Sequence, residues 1–317
     1  MNYVLLLFGF GLLIKGADFF VTGSSNIARI LRVPPILIGL TIVSFGTSSP
    51  EATVSILAAM EGSSGVSLGN VIGSNIFNIT LVVGLTAIIN PLKVENETIR
   101  KEIPFALLAS IVLLVLVSDV ALQALSTNLL TRSDGLIFLL FFAVFLYYIF
   151  EVARASREKT MLEPKIPNKS WVKNSFITVL GLGAIIFGGD LVVKNSTQIA
   201  FTYGMSETLV GLTIVAIGTS LPELVTSITA ALKKQSEIAL GNIVGSNIFN
   251  LLFVLGASST IAPIIVSEKI FIDVILMVLL TIVLLIFSRT RFTVGKFEGY
   301  FLALTYMVYL SFIILRN

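Results

Sequence analysis

The chain has 317 residues, of which 56% are hydrophobic and 12% are charged, with a mean hydropathy of +0.99 and a formal net charge of +3. Soluble proteins carry roughly twice that share of charged residues, so this composition excludes a soluble domain and indicates a protein of the lipid bilayer. Cysteine and histidine are both absent, which excludes disulfides, thiolate chemistry, soft-metal sites and imidazole proton shuttles, and any bound metal must be a hard, oxygen-ligated cation.

Apolar stretches long enough to cross a bilayer recur from one end of the chain to the other. Pro and Gly clusters and charge runs divide them, so the sequence predicts an all-α membrane protein with ten transmembrane helices. The predicted spans are 3–30, 36–60, 67–90, 103–124, 133–151, 173–200, 207–231, 238–262, 268–288 and 296–315. Residues 1–20 are apolar from the start and continue into further helical sequence, so we expect no cleavable signal peptide.

One connection, residues 152–172, is long and polar, is rich in Lys and Arg, and contains Pro164 and Pro167. It predicts a linker between a first five-helix repeat, 1–151, and a second one, 173–317. If ten spans alternate across the membrane, most of the 21 Lys and Arg residues fall on the side of this linker. The positive-inside rule then predicts a multi-pass protein of the cell membrane with a cytoplasmic linker and both termini extracellular.

The two halves resemble each other when the sequence is compared with itself at a spacing of 172 residues. Residues 11–91 align with 183–263 without a gap, GTSSPE ending at Glu51 matches GTSLPE ending at Glu223, and GNVIGSNIFN at 69–78 matches GNIVGSNIFN at 241–250. Because each half contains an odd number of predicted spans, the second copy must cross the membrane in the opposite direction. Transporters with inverted repeats place their ion site near the bilayer midplane, on interrupted helices, and work by alternating access.

Each copy has a glutamate directly after a proline in the middle of an apolar span. Pro50 and Pro222 each remove one backbone N–H and disturb the preceding turn, so carbonyl groups there are expected to be free to bind a cation. Glu51 and Glu223 would each cost about 2.5–3.5 kcal/mol at the membrane centre. No Lys or Arg recurs beside them in both copies, so we expect their partner to be a mobile cation. The candidate carbonyl donors are Ser44 and Ala216.

Neutral oxygen atoms are expected to complete the site, because hydroxyl and amide side chains recur at helical spacing beside the glutamates and in the third and eighth spans. The predicted ligands of this kind are Thr47, Ser48, Thr219, Ser220, Ser74, Ser246, Asn78 and Asn250. Two carboxylates with neutral oxygens suit Ca²⁺, which takes about 6–8 oxygen ligands, better than Mg²⁺, which retains its waters. Several Na⁺ ions binding the same oxygens after Ca²⁺ leaves would give exchange.

Structural roles are the alternative for several of these residues. The glycines of the GN motifs favour close helix packing, single Ser and Thr hydroxyls can bond to their own helix, and the glutamates could form a protonated pair. We expect Asp18 and Asp190 to have a structural or gating role. The amides of Asn70, Asn75, Asn242 and Asn247 are expected to bond between helices or to hold broken backbone. A cation channel and a membrane-embedded hydrolase are the alternatives from other functional classes.

The paired motifs GTSSPE with GNVIGSNIFN, and GTSLPE with GNIVGSNIFN, resemble the two α-repeats of the calcium/cation antiporter superfamily, and most closely its prokaryotic sodium/calcium exchanger branch. The resemblance covers essentially the whole chain and implies ten spans in two inverted repeats. It also implies a central site with Glu51 and Glu223 as the main carboxylates, completed by the hydroxyl, amide and carbonyl oxygens named above.

Two differences between this chain and other members of the superfamily indicate which ion is exchanged for Ca²⁺. Some members have Asp where this chain has Asn250, and potassium-dependent relatives usually have that Asp, so its absence argues against K⁺ coupling. Proton-coupled relatives carry an acidic residue soon after the GN of these motifs, where this chain has Gly73 and Ser74, and Gly245 and Ser246. The resemblance therefore implies a Na⁺/Ca²⁺ antiporter, with an H⁺-coupled Ca²⁺ exchanger as the alternative.

The remaining expectations concern what the chain does without. We expect no enzymatic activity, no cofactor other than the transported Na⁺ and Ca²⁺, no nucleic-acid partner and a monomeric state in the bilayer. The first and sixth spans, which are rich in Gly and poor in ligands, are expected to form the moving gate.

Overall fold

Long apolar helices dominate the computed structural model, which describes residues 2–94, 98–160, 170–204, 216–290 and 292–316. Within those ranges, seven helices are long and apolar enough to cross a membrane. They are Asn2–Leu31, Ser64–Ile89, Arg132–Arg157, Trp171–Thr202, Ser236–Ile261, Glu268–Arg289 and Lys296–Arg316. The prediction of an all-α membrane protein is therefore confirmed, whereas the count of ten spans and the inverted repeat stay predictions.

Shorter helices occupy the other three predicted spans. We number the helices in chain order, with α1 Asn2–Leu31 first. Span 36–60 contains α2 Pro35–Ile38, a π-helical turn Gly39–Val43, α3 Ser44–Thr47 and α4 Ser49–Met60. Span 103–124 contains a π-helical turn Thr98–Glu102, α7 Ile103–Leu116 and α8 Asp119–Gln123. Of span 207–231 the described part begins with α11 Ala216–Thr219 and continues with α12 Leu221–Leu232.

Two helices that carry the GN motifs form the centre of the molecule. The first consists of α5 Ser64–Phe77, a π-helical turn Asn78–Val82 and α6 Val83–Ile89. The second consists of α13 Ser236–Ile248, a π-helical turn Phe249–Val254 and α14 Leu255–Ile261. The most apolar stretch of the second helix is 94% buried, against 17% for that of Arg132–Arg157. The polar side chains of the GN motifs are thus kept away from lipid by protein.

The helix before the predicted linker is longer than the sequence predicted. Helix α9 spans Arg132–Thr160 and α10 spans Trp171–Thr202, so the start of the predicted linker 152–172 is helical. Arg, Glu, Lys and Ala are good helix formers and favour continuing the helix beyond the apolar stretch. The central part of the predicted linker, residues 161–169, lies outside the described residues.

Helices α1 and α10 pack against each other through glycines. A Cβ atom at Gly16 would lie 2.9 Å from the carbonyl oxygen of Gly181, and one at Gly188 would lie 2.8 Å from that of Gly9. Contacts this short are possible only without side chains, so the two backbones lie close together, as small residues allow in membrane helices. The outer faces of both helices remain exposed, with residues such as Leu7.

Two small antiparallel ribbons connect the halves of the chain. Strand β1, Leu92–Lys93, pairs with β4, Thr293–Val294, and β2, Asn128–Leu130, pairs with β3, Ile264–Val266. Each ribbon thus takes one strand from each half. The remaining long helices are α15 Glu268–Arg289 and α16 Lys296–Arg316.

Candidate functional site

Two helix breaks place the glutamates. Helix α3 ends at Thr47 and α4 begins at Ser49, with Pro50 in its first turn and Glu51 directly after it. Helix α12 begins at Leu221 in the same way and carries Glu223 in its first turn. The helix dipole favours negative charge at the N-terminal end of a helix, so each helix end offsets part of the cost of burying its carboxylate.

The serines at the breaks connect the two halves. Ser48 precedes α4, the position where a serine hydroxyl usually caps the helix, yet it makes no capping bond. Its Oγ donates instead to Oε1 of Glu223 at 2.7 Å, and Oγ of Ser220 donates to Oε1 of Glu51 at 3.0 Å. The structure therefore brings the two predicted motifs together, with each carboxylate bound by the serine of the opposite half.

Both carboxylates are fully buried and only half bonded. Glu51 and Glu223 each have 0% exposure, and Oε2 of each lacks a hydrogen-bond partner among the described residues. Neither glutamate forms an ion pair with any Lys or Arg side chain that the structure describes. A buried charge without a partner is costly, so oxygens arranged in this way suit a cation that arrives from outside the protein.

The central helices add hydroxyl and amide oxygens beside the carboxylates. Oγ of Ser74 lies 3.0 Å from Oγ of Ser220, and the amide of Asn78 donates to Oδ1 of Asn247 at 3.3 Å. Ser246 and Asn250 are fully buried, and their side chains have no hydrogen-bond partner within the described ranges. Oδ1 of Asn78 is likewise unpaired there, so several further buried oxygens have unused lone pairs.

Thr47 and Thr219 contact asparagines of the GN motifs. Oγ1 of Thr47 lies 3.0 Å from Oδ1 of Asn242, and Oγ1 of Thr219 lies 3.4 Å from Oδ1 of Asn70. In both contacts the threonine and the asparagine come from different halves. Like Ser48 and Ser220, the threonines thus bridge the two copies of the repeat.

The same asparagines also bond within their own half. Nδ2 of Asn70 donates to the carbonyl of Glu51 at 3.3 Å and to Oγ of Ser55 at 2.9 Å. Nδ2 of Asn242 donates to the equivalent atoms of Glu223 and Ser227 at the same two distances. The expectation that these amides bond between helices is confirmed. Asn75 differs, because its Nδ2 donates to the Val71 carbonyl of its own helix.

Sequence reasoning missed Ser55 and Ser227, and it did not predict which atoms Asn70 and Asn242 bond. The available signal was the repeat itself, because both pairs are spaced by 172 residues.

The expectation of close packing is confirmed at Gly241 and Gly245. A Cβ at Gly245 would lie 2.6 Å from Oγ of Ser44. The expectation is wrong at Gly69 and Gly73, where no neighbouring backbone approaches and an added Cβ atom would have no described atom within 4 Å.

The carbonyl of Ser44 corrects one expectation. It is not freed by Pro50, because it accepts the N–H of Ser48 at 2.9 Å and lies 3.3 Å from the Thr47 hydroxyl. Pro50 removes the N–H that would bond one turn earlier, to the carbonyl of Gly46. One lone pair of the Ser44 oxygen remains beyond the backbone bond. Ala216 is the first residue of α11, and its side chain lies outside the described part of the chain.

Asp18 and Asp190, at equivalent positions in α1 and α10, lie apart from this cluster and differ from each other. Asp18 pairs with Lys233, directly after α12, at 2.7 Å, whereas Asp190 pairs with Lys194 of its own helix at 2.8 Å. Helix α1 is therefore attached to the helix that carries Glu223. Lys233 corresponds to Glu61 in the first half, so the charge required for an equivalent pair is reversed there.

The possible ligand atoms of this site are all oxygens, and two of the groups that supply them are carboxylates. No group of three acidic side chains that would hold a metal ion occurs in the ranges that the structure covers. Charge from two carboxylates, with hydroxyl, amide and carbonyl oxygens around them, matches the ligand preference of hard cations. The described residues at this site include no thiol or imidazole, because the chain has none.

Comparisons with known proteins identify the family of this chain. The family profile described as "Sodium/calcium exchanger protein" matches residues 1–151 and 173–315. The putative antiporter CaxA of Alkalimonas amylolytica is 43% identical over 82% of this chain and 81% of its own. The sodium/calcium exchanger MaX1 of Methanosarcina acetivorans is 32% identical over 98% of this chain and 97% of its own.

A solved structure of the sodium-calcium exchanger NCX_Mj superimposes with a TM-score of 0.84 at 30% identity, covering 98% of each chain. The family profile covers both halves of the present chain and omits only the segment between them and the last residues. The relatives are membrane transporters rather than enzymes. The chain therefore belongs to the sodium/calcium exchanger protein family.

Proposed function

We propose that this protein is a secondary antiporter that exchanges Na⁺ for Ca²⁺ across the cell membrane by alternating access. One observation carries the proposal. The buried carboxylates of Glu51 and Glu223 are each bonded by a serine from the opposite half, and neither has a cationic partner among the side chains that the structure describes. A transported cation would supply the missing charge.

The proposed ligands are the oxygens of the two motifs and the central helices. In addition to the glutamates they are Thr47, Ser48, Thr219, Ser220, Ser74, Ser246, Asn78 and Asn250, with the carbonyls of Ser44 and Ala216. Buried oxygens on Glu51, Glu223, Ser246 and Asn250 that have no hydrogen-bond partner in the described ranges support this set. Ca²⁺ accepts about 6–8 oxygens in irregular geometry, so a site with this many neutral oxygens suits Ca²⁺ better than Mg²⁺.

Coupling to Na⁺ rather than H⁺ is the finer part of the proposal. Neutral residues follow the GN of each motif, at Gly73, Ser74, Gly245 and Ser246, and the chain has no histidine. Apart from the two glutamates, the proposed site therefore has no titratable side chain to carry a proton. A relative aligned over nearly the whole chain is named a sodium/calcium exchanger, which also favours Na⁺.

The proposed architecture is ten transmembrane helices in two inverted five-helix repeats. Supporting it, the equivalent breaks at Pro50 and Pro222 meet at the site, and the π-helical turns Asn78–Val82 and Phe249–Val254 occur at equivalent positions. We further propose that residues 152–172 are cytoplasmic, that both termini are extracellular and that the protein acts as a monomer. The distribution of Lys and Arg supports the orientation.

Helices α1 and α10 are the proposed gate. Their glycine-lined contact lets them move as one body, and neither contributes a proposed ligand. Helix α1 lies along α12 and is attached there by Asp18 and Lys233, whereas α10 makes no comparable contact with α4 among the described residues. This asymmetry is what one access state of an alternating transporter requires, because the gate must close against one half at a time.

Transport in proteoliposomes tests the proposal. Uptake of ⁴⁵Ca²⁺ should require an opposing Na⁺ gradient and should vanish in Glu51→Gln and Glu223→Gln. Glu268→Gln, which changes an exposed glutamate at the start of α15, is the matched control and should transport normally. Uptake that persists in both site variants would contradict the proposed site.

Other outcomes identify the alternatives. Uptake driven by a pH gradient and indifferent to Na⁺ would indicate an H⁺-coupled exchanger. Current across a planar bilayer without any counter-ion would indicate a channel. Either result would overturn Na⁺/Ca²⁺ exchange as the function of this chain.

A further inference from the structure

Asn70 and Asn242 hold the threonines of the opposite half. We propose that they are positioning residues that fix the direction of the threonine hydroxyl protons, Asn242 that of Thr47 and Asn70 that of Thr219. The lone pairs of these hydroxyls, and not their protons, then face the transported cation. This inference rests on the proposed function, and it concerns residues outside the proposed ligand set.

The first step is that the asparagine amide has only one possible orientation. Nδ2 of Asn242 faces the carbonyl oxygen of Glu223 at 3.3 Å, and a carbonyl oxygen can only accept a hydrogen bond. A flipped amide would place Oδ1 against that carbonyl with no proton between them. The Nδ2 group must therefore stay on Glu223 and Ser227, and Oδ1 of Asn242 must face Thr47.

The second step is a competition for one proton. Oγ1 of Thr47 lies 3.0 Å from Oδ1 of Asn242, 3.1 Å from the Val43 carbonyl and 3.3 Å from the Ser44 carbonyl. The carboxylate of Glu223 is a fourth acceptor close to this hydroxyl. A hydroxyl has a single proton to donate. A threonine within a helix would usually give it to a carbonyl of the preceding turn.

Asn242 decides this competition. It is fully buried, and its Oδ1 has no other described donor than Thr47, so a proton directed elsewhere would leave a buried acceptor unsatisfied. The carbonyl of Val43, by contrast, lies within a helical turn where backbone N–H groups are available. The Glu223 carboxylate already accepts the Ser48 hydroxyl at 2.7 Å. The Thr47 proton therefore points to Asn242.

This proton direction affects two proposed ligands, the Thr47 hydroxyl and the Ser44 carbonyl. With its proton on Asn242, Thr47 presents only lone pairs on its remaining sides. The Ser44 carbonyl, which already accepts the Ser48 N–H, then keeps its second lone pair because Thr47 does not use it. Without Asn242, the Thr47 proton would turn back to its own helix and compete with a cation for these oxygens.

Asn70 and Thr219 repeat the arrangement with the two halves exchanged. Asn70 donates to Glu51 and Ser55 at distances equal to those of Asn242, and its Oδ1 faces Thr219. The oxygen-to-oxygen distance is longer there, 3.4 Å against 3.0 Å. We therefore expect the same effect at Thr219 but a weaker one.

A set of double-mutant cycles tests the proposal. The measurement is the equilibrium dissociation constant of ⁴⁵Ca²⁺ for the purified, full-length protein in detergent, which does not depend on the coupling ion. Asn242→Leu should weaken Ca²⁺ binding about tenfold, the size of one lost hydrogen bond of this kind. In a Thr47→Val background, which has no hydroxyl to orient, Asn242→Leu should change the constant less than about twofold.

The controls separate positioning from general loss of structure. In a Thr219→Val background the effect of Asn242→Leu should remain about tenfold, since that threonine contacts Asn70. Thr47→Ser retains a hydroxyl and should retain the full effect. Asn75→Leu removes a buried amide that bonds only to its own helix, and it should show coupling with neither threonine.

Each outcome decides the inference. Equal effects of Asn242→Leu in both threonine backgrounds would overturn it, because a structural role has no preferred partner. If Asn242→Leu does not fold, Asn70→Leu with the same two backgrounds tests the mirrored prediction. Wild-type protein that binds Ca²⁺ without exchanging it for Na⁺ would refute the proposed function alone, and the cycles would still decide the inference. Folded wild-type protein that binds no Ca²⁺ would overturn both.

Discussion

Ser48 and Glu223 are separated by 175 residues in the chain, yet Oγ of Ser48 donates to Oε1 of Glu223 at 2.7 Å inside the protein. Since an equivalent bond joins Ser220 to Glu51, neither half of the chain can form a complete carboxylate environment alone. Any movement of one half against the other must therefore alter the hydrogen bonds of both glutamates together. This reciprocal bonding gives the first prediction.

Ser48→Ala and Ser220→Ala should weaken apparent Ca²⁺ affinity to a similar degree, about tenfold each, because each removes one bond to a buried carboxylate. Ser49→Ala is the matched control, since Oγ of Ser49 donates to the Phe45 carbonyl of its own helix. The measurement is the concentration dependence of ⁴⁵Ca²⁺ uptake. A loss confined to one of the two serines would contradict the reciprocal arrangement.

The attachment of α1 to α12 gives the second prediction. Lys233→Met removes the partner of Asp18 and should shift the protein toward the opposite access state. The chain has no cysteine, so Ser24→Cys in α1, which is buried, introduces a single thiol. Its labelling rate should rise several-fold in Lys233→Met and stay unchanged in Lys194→Met, whose partner lies in the same helix. Equal rates in both variants would show that the pair does not hold the gate.

Glycine packing between α1 and α10 gives the third. A Cβ at Gly181 would lie 2.5 Å from the backbone nitrogen of Phe20, whereas one at Gly183 of the same helix would have nothing within 4 Å. Gly181→Ala should therefore lower the free energy of unfolding by about 1–3 kcal/mol, as overpacking usually does. Gly183→Ala should leave it unchanged or slightly raised. Thermal unfolding in detergent compares the two, and equal midpoints would refute the close packing.

The proposed orientation gives the fourth. Ser126→Cys lies between α8 and β2, in a connection expected to be extracellular, and Asn168→Cys lies in the linker expected to be cytoplasmic. A membrane-impermeant thiol reagent added to intact cells should label only the first. After the cells are opened it should label both. Labelling of Asn168→Cys in intact cells would reverse the proposed topology.

Much of the candidate site could be predicted from the sequence, because a proline next to a carboxylate inside an apolar span is costly in lipid and occurs twice. That cost singled out Glu51 and Glu223, and helical spacing then placed Ser48 and Ser220 beside them. The duplicated GN motifs likewise indicated Ser74 and Asn78. These inferences depend only on local chemistry and on the solvent in which the helices lie.

Other features could not be read in this way. The sequence indicated a free carbonyl at Ser44, but the Ser48 N–H makes the ordinary helical bond to it, four residues back. It did not predict the β1–β4 and β2–β3 ribbons, since two or three residues make no periodic pattern. It predicted that Asn70 and Asn242 bond between helices or hold broken backbone, but not with which partners, because those contacts depend on the distance between helices.

What the sequence by itself determined is thus the membrane environment, the duplicated motifs and the identity of the buried charges. Composition, hydropathy and repeat spacing are properties of the chain itself. In lipid, each polar or charged residue within an apolar span costs free energy, so such residues stand out in the sequence. Only the tertiary structure decided that each carboxylate is bonded from the opposite half, and that Asp18 pairs with Lys233 at the end of another helix whereas Asp190 pairs with Lys194 of its own. Hydrogen bonds and ion pairs between helices depend on where the backbones lie to within an ångström, and that position is fixed by the packing of the whole molecule.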